Sequence, residues 1–332
     1  MPIRIVNAHE VRRLLPMPEC IRLMREAMPL AGAGGAVQPI RTALRLPDGR
    51  GLLGMMPGYL PDRPAAVPPR LGIKVVTVYP GNFGTTLGSH QGMVLLFDAA
   101  DGHPLAIIEA REVTAIRTAA SSAVATDLLA PPTAAVLAVF GYGEQATEHV
   151  ESVHCVRAIR ELIVWGRSPA QAQTFARQAG ERFGIPARAV PRVEEAVSVA
   201  DILCTTTAAA EPYLKGEWLR PGQHLNVVGS SIPTTAEIDH EAVVRSRFYV
   251  DFKDSALALA GEFRRAREAG LVTDDHILGS VGDVLAGRAV GRLDAQDITL
   301  FKSLGMVSED LIAAHFVLAE AERLGVGHVV DF

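Results

Sequence analysis

Hydrophobic positions recur at helical spacing near the start of the chain: Val11, Leu14 and Leu15, then Ile21, Leu23, Met24 and Met28. Pro16 and Pro18 divide them into two short helices, because proline removes a backbone donor and crowds the preceding turn. From about residue 40 to 110 the pattern changes to short Val/Ile/Leu runs between Gly/Pro turns such as Pro47-Asp48-Gly49, Pro57-Gly58 and Pro80-Gly81-Asn82. This predicts a mostly antiparallel sheet, with strands 92–97 and 104–109 joined by a hairpin-like 98–103. Residues 61–69 read as a Pro-rich loop, and 115–129 as a helix of small residues ended by Pro131-Pro132.

Strands and helices then alternate. Apolar strands are expected at 134–140, 160–165, 186–190, 201–206, 224–229 and 247–251, with helices at 144–156, 169–183, 193–199 and 237–245. Repeated β-α units with apolar strands predict a parallel, doubly wound sheet. Residues 254–269, with the run Arg264-Arg265-Ala266-Arg267, read as an exposed, solvated helix. The fold class is therefore α/β: a doubly wound parallel domain beside an α+β domain with an antiparallel sheet.

Composition narrows the function classes. The 332 residues are enough for two domains, each with its own core. Hydrophobic residues make up 48% and charged ones 21%, which excludes a disordered chain or a small disulfide scaffold. A net charge of -5 gives no electrostatic footprint for nucleic acid. Cys20, Cys155 and Cys204 lack metal-site spacing and are expected to be reduced thiols. No long apolar leader or membrane-length run is present, so a cytoplasmic enzyme with no membrane partner is expected. Lysine occurs only at 74, 215, 253 and 302, which makes each one worth examining.

The strand at 134–140 runs into Gly141-Tyr142-Gly143-Glu144-Gln145-Ala146, a G-x-G-x-x-A turn followed by a helix. Gly141 allows the tight turn, Gly143 lets a pyrophosphate approach the backbone, and Ala146 permits close helix–strand packing. A purely structural glycine turn is the alternative. The next strand ends in Arg167-Ser168, where an NAD site usually places an acid for the ribose hydroxyls. A guanidinium and a hydroxyl suit a 2′-phosphate, so NADP is preferred and NAD stays open. Thr205, Thr206 and Thr207 end another strand, where their hydroxyls could line the dinucleotide crevice or simply fill a strand.

Lys74 lies in the apolar run Leu71–Tyr79, where burial would depress its pKa and fit it for proton transfer; an edge-strand lysine facing water is the alternative. Thr114-Ala115-Ile116-Arg117 reads as an N-cap and first helical turn, so Arg117 hints at a bound anion or a salt bridge to Glu109, Glu112 or another carboxylate. Arg41 stands alone among apolar residues before a strand. No Ser/His/Asp triad is evident. His90 has no spaced ligand partner, so no metal is expected.

Together these segments resemble the ornithine cyclodeaminase/mu-crystallin family. The matching stretches include Gln38–Arg41, Met56-Pro57, Lys74 with Tyr79-Pro80, Ser89–Gln91 and Thr114–Ala120. Further on come Gly141–Ala146, Gly216–Gly222, Asn226–Gly229, Glu237–Asp239 and Phe301–Met306 with Glu309-Asp310. The resemblance implies a substrate and dimerisation domain at 1–118 with 309–332, a Rossmann domain at 119–308, and a homodimer. It implies hydride transfer between nicotinamide C4 and Cα of a small amino or imino acid. Arg41 and Arg117 would bind the substrate carboxylate, and Lys74 would assist proton transfer. Arg117, Thr118, Gly141, Gly143, Glu144, Gln145, Ala146, Arg167, Ser168, Thr205, Thr206, Thr207, Gly229, Ser303 and Leu304 would form the dinucleotide site.

Two positions depart from the cyclodeaminases. Gly54-Met55 stands where they carry an acid before Met-Pro, and Ser231 stands in place of a catalytic Asp. Both departures resemble the mu-crystallin branch, and imply an NADPH-dependent ketimine reductase. An ornithine cyclodeaminase using catalytic NAD, and a non-catalytic dinucleotide-dependent binding protein, are the alternatives.

Overall fold

The computed structural model describes residues 2–32, 35–61, 69–82, 85 and 87–332. The first part of the chain forms β1 (Pro2–Val6), α1 (Ala8–Leu14), α2 (Met17–Gly32), β2 (Thr42–Arg45), β3 (Leu52–Leu60), β4 (Arg70–Val78), β5 (His90–Phe97), β6 (Pro104–Glu109) and α3 (Ala110–Leu129). Alternation follows, with β7 (Val136–Phe140), α4 (Glu144–Val156), β8 (Glu161–Trp165), α5 (Pro169–Phe183), β9 (Ala187–Ala189), α6 (Val193–Val199), β10 (Ile202–Thr205) and β11 (His224–Val227). The remainder is α7 (His240–Arg245), β12 (Arg247–Val250), α8 (Lys253–Leu259), α9 (Gly261–Glu268), β13 (Ile277–Ser280), α10 (Val281–Leu285), β14 (Thr299–Lys302), α11 (Val307–Leu324) and β15 (His328–Asp331). The chain divides into two compact units, Met1–Arg117 with Met306–Phe332, and Thr118–Gly305.

The first unit holds a seven-stranded sheet in the order β15-β1-β6-β5-β4-β3-β2. Its pairs are antiparallel except for β1 and β6, which run parallel. Side chains alternate between faces, so Gly72 and Lys74 share one face with their partners Met56, Val94 and Leu96. That face is buried under α11. The approach is close because glycines leave bare backbone there. A Cβ at Gly58 would lie 2.5 Å from Val307, and one at Gly72 would lie 2.6 Å from both Leu311 and the carbonyl oxygen of Leu95.

The second unit is an eight-stranded, all-parallel sheet in the order β13-β12-β14-β11-β10-β7-β8-β9. The chain steps from β7 outward to β8 and β9, then returns to the other side with β10. The order therefore reverses between β7 and β10, the place where such sheets open a ligand crevice at their carboxyl ends. One face packs Phe140, Leu225, Phe248 and Phe263, and the other Val139, Val150, Leu162 and Phe175.

Helices α4, α5 and α6 coincide with the expected ranges. Four readings need correction. First, α3 begins at Ala110, not 115, because Glu109 accepts the backbone N–H groups of Arg111 and Glu112 and starts the helix earlier. Second, the helix read at 237–245 begins at His240, where Asp239 caps the N–H of Ala242. Third, residues 254–269 form two helices and bury Phe263 and Ala266; the Arg265 guanidinium bonds Glu211 and the carbonyls of Ala210 and Thr234, so this is no freely solvated face. Fourth, β14 was not anticipated, since its four residues include Lys302, yet it lies inside the parallel sheet. The Pro-rich stretch falls mostly on 62–68, outside the described residues.

Because Gly72 has backbone on one side and α11 on the other, Gly72→Ala is expected to lower stability by about 1–3 kcal/mol through overpacking. A urea titration checks this: the midpoint should fall with an unchanged slope.

Candidate active site and dinucleotide site

Lys74 is 3% exposed, on the interior strand β4, so it is not an edge lysine facing water. Its Nζ donates to both carboxylate oxygens of Asp310 at 2.9 Å and to the Thr114 hydroxyl at 3.2 Å. Arg117, 4% exposed, donates from Nε to Asp310 at 2.9 Å and from Nη1 to Glu309 at 3.0 Å. Both carboxylates sit in the first turn of α11, which favours negative charge there. Thr114 is inside α3 rather than capping it, and its hydroxyl bonds the carbonyl of Ala110. Arg117 therefore stands two turns into the helix, and its carboxylates are Glu309 and Asp310, not Glu109 or Glu112.

Charge and burial set the protonation of this cluster. Burial pushes the Lys74 pKa down to about 8; Asp310 opposes the fall, while Arg117 and Arg41 add to it. Arg41 thus belongs to the same electrostatic neighbourhood. Burial acts to raise the pKa of Asp310, but Arg117 and Lys74 outweigh it and hold the carboxyl below its ordinary value. Lys74, Arg117 and the nearby Arg41 bring cationic groups to the strand that carries Lys74, and Asp310 and Glu309 accept from two of them. Two cations depend on Asp310, so Asp310→Ala is expected to destabilise the chain by about 3–5 kcal/mol. Denaturant unfolding at neutral pH is the check.

In the second unit, the turn after β7 has the geometry a pyrophosphate needs. Gly141 has φ of 122°, and a Cβ there would lie 2.8 Å from the Thr206 hydroxyl. Gly143 is the N-cap of α4 and supplies no side-chain cap to the first-turn N–H groups. A Cβ at Gly143 would meet nothing within 4 Å, so the approach to that helix end is open. Glu144 opens α4, Gln145 follows, and Ala146 is fully buried against the sheet. A dinucleotide fits these residues. Arg167 is exposed directly after β8, and Ser168 caps α5 by accepting from the N–H of Gln171.

Thr205 and Thr207 use their hydroxyls inwardly, each donating to the carboxylate of Glu237 at 2.7 Å, and Thr206 donates to the carbonyl of Phe140 at 2.9 Å. They build the crevice wall rather than offering free donors to it. Gly229 donates its N–H to Glu237, Ser303 its N–H to Val227, and Leu304 its N–H to Asp251. Thr118 is buried on α3, and Ser231 is half-buried after β11. Sequence reasoning gave no role to Glu309, Asp310, Glu237 or Lys302. Asp310 lies 236 positions from Lys74, and its local signal is an acidic pair in the first turn of a helix, followed by the apolar run Leu311–Ala314.

Comparison with known proteins places these features in context. The family model described as "Ornithine cyclodeaminase/mu-crystallin family" matches residues 3–324. Ketimine reductase mu-crystallin of Mus musculus is 39% identical over 284 residues, covering 86% of this chain and 85% of that protein. The structure of Thermococcus litoralis Delta(1)-pyrroline-2-carboxylate reductase in complex with NADH and L-proline superposes with a TM-score of 0.93 at 34% identity, covering 98% of this chain and 99% of that one. An archaeal alanine dehydrogenase dimer with bound NAD gives 0.93 at 30% identity, covering all of both chains. The ordered motifs, the two-sheet architecture and the match across nearly the whole length make this chain a member of the ornithine cyclodeaminase/mu-crystallin family.

Proposed function

We propose that this chain is an NAD(P)H-dependent imino-acid reductase acting on small monocarboxylate ketimines such as Δ1-pyrroline-2-carboxylate, with NADPH the preferred donor. The observation that carries the reading is Lys74, a buried ammonium held between Asp310 and the Thr114 hydroxyl beside Arg117. The related structure holding NADH and L-proline, and the mammalian ketimine reductase, support the same chemistry.

The nicotinamide dinucleotide supplies the hydride. The chain's part is charge and proton handling. Arg41 and Arg117 hold the substrate carboxylate, for which the guanidinium fork is suited. Lys74 gives its proton to the imine nitrogen as the α-carbon is reduced, and regains it from solvent. Burial near a pKa of about 8 keeps the ammonium charged at neutral pH yet makes it a better acid than an ordinary lysine. Gly141, Gly143 and the start of α4 hold the pyrophosphate, and Arg167 with Ser168 faces the 2′-phosphate. Ser231, in the segment after β11, is the neutral hydroxyl we assign to the position where the cyclodeaminases carry an acid.

Cyclodeamination needs carboxylates to manage a second amine and its protons. On β3 the residues sharing Lys74's face are Leu52, Gly54, Met56, Gly58 and Leu60, and position 231 is Ser. None of these positions supplies a negative charge to balance an ammonium.

The outer face of the first unit's sheet points to a homodimer. By register, Ile5, Ile107, Leu95 and Ile73 form one apolar row across four strands, with Met55, Val75 and Met93 beside it. Ile5 is 37%, Leu44 57% and Met93 43% exposed. A second copy laid on the same face would cover this patch isologously, and the alanine dehydrogenase relative is itself a dimer. Met93→Glu is expected to shift the mass measured by light scattering from two chains to one.

The activity test follows absorbance at 340 nm with pyrroline-2-carboxylate and either cofactor. NADPH consumption is expected at a higher kcat/KM than NADH consumption; no turnover with any cyclic or linear ketimine, or ammonia release from ornithine without net cofactor use, would overturn the reading. Lys74→Met is expected to lower kcat by about 100- to 10,000-fold, the usual range for a lost general acid. A proton donor works below its pKa. The reductive rate should therefore be flat at neutral pH and decline as pH rises through about 8, while amino-acid oxidation should rise over the same window.

A further inference from the structure

Glu237 is fully buried, yet its carboxylate accepts five hydrogen bonds: 2.7 Å from each of the Thr205 hydroxyl, the Thr207 N–H, the Thr207 hydroxyl and the Gly229 N–H, and 3.1 Å from the Tyr213 hydroxyl. A carboxylate has about four lone-pair sites, so this one is saturated. Its donors come from the turn after β10 and the turn after β11, both at the carboxyl edge of the parallel sheet. The two turns touch. A Cβ on Gly229 would lie 2.1 Å from the carbonyl oxygen of Thr207, so any side chain there would force them apart.

A second buried group closes the arrangement. Lys302, at the end of β14, is 0% exposed. Its Nζ donates to the carbonyl of Ser230 and pairs with Glu262 at 3.2 Å. Glu262 in turn accepts the backbone N–H of Glu237 at 3.2 Å. Glu237, Glu262 and Lys302 thus form a chain of contacts whose bonds, apart from that of the Tyr213 hydroxyl, end on the Thr205–Thr207 and Gly229–Ser230 turns. Burial raises the Glu237 pKa, moderated by the bonds from Thr207 and by the charge of Lys302. Burying these charges costs desolvation that an apolar filling of the same volume would not, so their use here lies in the backbone groups they hold.

We infer that Glu237 and Lys302 are positioning residues for the dinucleotide: through Thr207, Gly229 and Ser230 they fix the two strand-end turns at the carboxyl edge of the parallel sheet. This rests on the reading of the chain as a nicotinamide-dependent reductase. Neither residue touches substrate. Their effect is to keep the crevice wall in its binding shape before the cofactor arrives, so that binding does not have to order it.

The test uses the full-length chain carrying Glu237→Gln, Lys302→Met or Thr207→Val. NADPH and NADH affinities are measured by titration without substrate, steady-state kcat and KM for cofactor and imino acid by absorbance, and folding by far-UV circular dichroism. Folded variants are expected to lose about ten- to hundredfold in NADPH affinity and to raise cofactor KM to match, which is the range for one lost hydrogen bond to a charged group. The KM for imino acid should stay within about twofold, since the hydrogen bonds of Glu237 and Lys302 do not include Lys74, Arg117 or Asp310. Native NADPH affinity and cofactor KM in folded variants would overturn the inference. If the two charge variants fail to fold, Thr207→Val removes a single hydroxyl donor and decides the question by the same readouts. Wild-type chain that binds NADPH but reduces no imino acid would sink the reductase reading and leave this inference to the binding data; wild-type chain that binds no dinucleotide would overturn both.

Discussion

The contact between Lys74 and Asp310 is the constraint on which the first unit is organised. An ammonium inside a sheet is unstable without a partner, and β4 offers none among its own residues. The carboxylate has to come from a helix that the sequence places more than two hundred positions away. That helix packs closely on the sheet where Gly58 on β3 and Gly72 on β4 leave backbone uncovered. The same carboxylate also holds Arg117, so one group on α11 sets the position and the charge of two cations on two other elements. Local packing and site chemistry are therefore one problem here: α11 is both the cover of the sheet and the counter-ion of the site.

The second unit solves a related problem differently. Its sheet is apolar on both faces, as all-parallel sheets must be, and its chemistry is pushed to the carboxyl edge. There a buried carboxylate and a buried lysine hold loop backbone instead of ligand. At the glycine turn after β7 no side chain caps α4, while the turns after β10 and β11 are tied down from within by Glu237.

The functional distinction within the family falls on absences. Gly54 and Met56 on the Lys74 face of β3, together with Ser231 after β11, leave no extra carboxylate for a second amine. Lys74, held by Asp310 and the Thr114 hydroxyl, is the group at that face whose proton the proposed reduction uses. The sequence supplied both substitutions, but only strand register shows that Gly54, and not Met55, shares the face of Lys74.

The chain's own pattern determined the alternation of apolar strands with helices, the glycine turn opening α4, the antiparallel hairpins of the first sheet, and Lys74 as a residue needing an explanation. These are local signals: a period of two or 3.6, a proline, a turn that needs positive φ. The motif order also carried the family. What local signals did not reach was partnership over distance. Nothing near Arg117 in the sequence marks Asp310, which holds it, in preference to Glu112, which pairs with Arg12; nothing in the four residues of β14 marks Lys302 as the pin of a neighbouring turn. Burial decides those pairings, because a charge removed from water takes whatever opposite charge the fold brings within reach, and only the tertiary structure says which one that is.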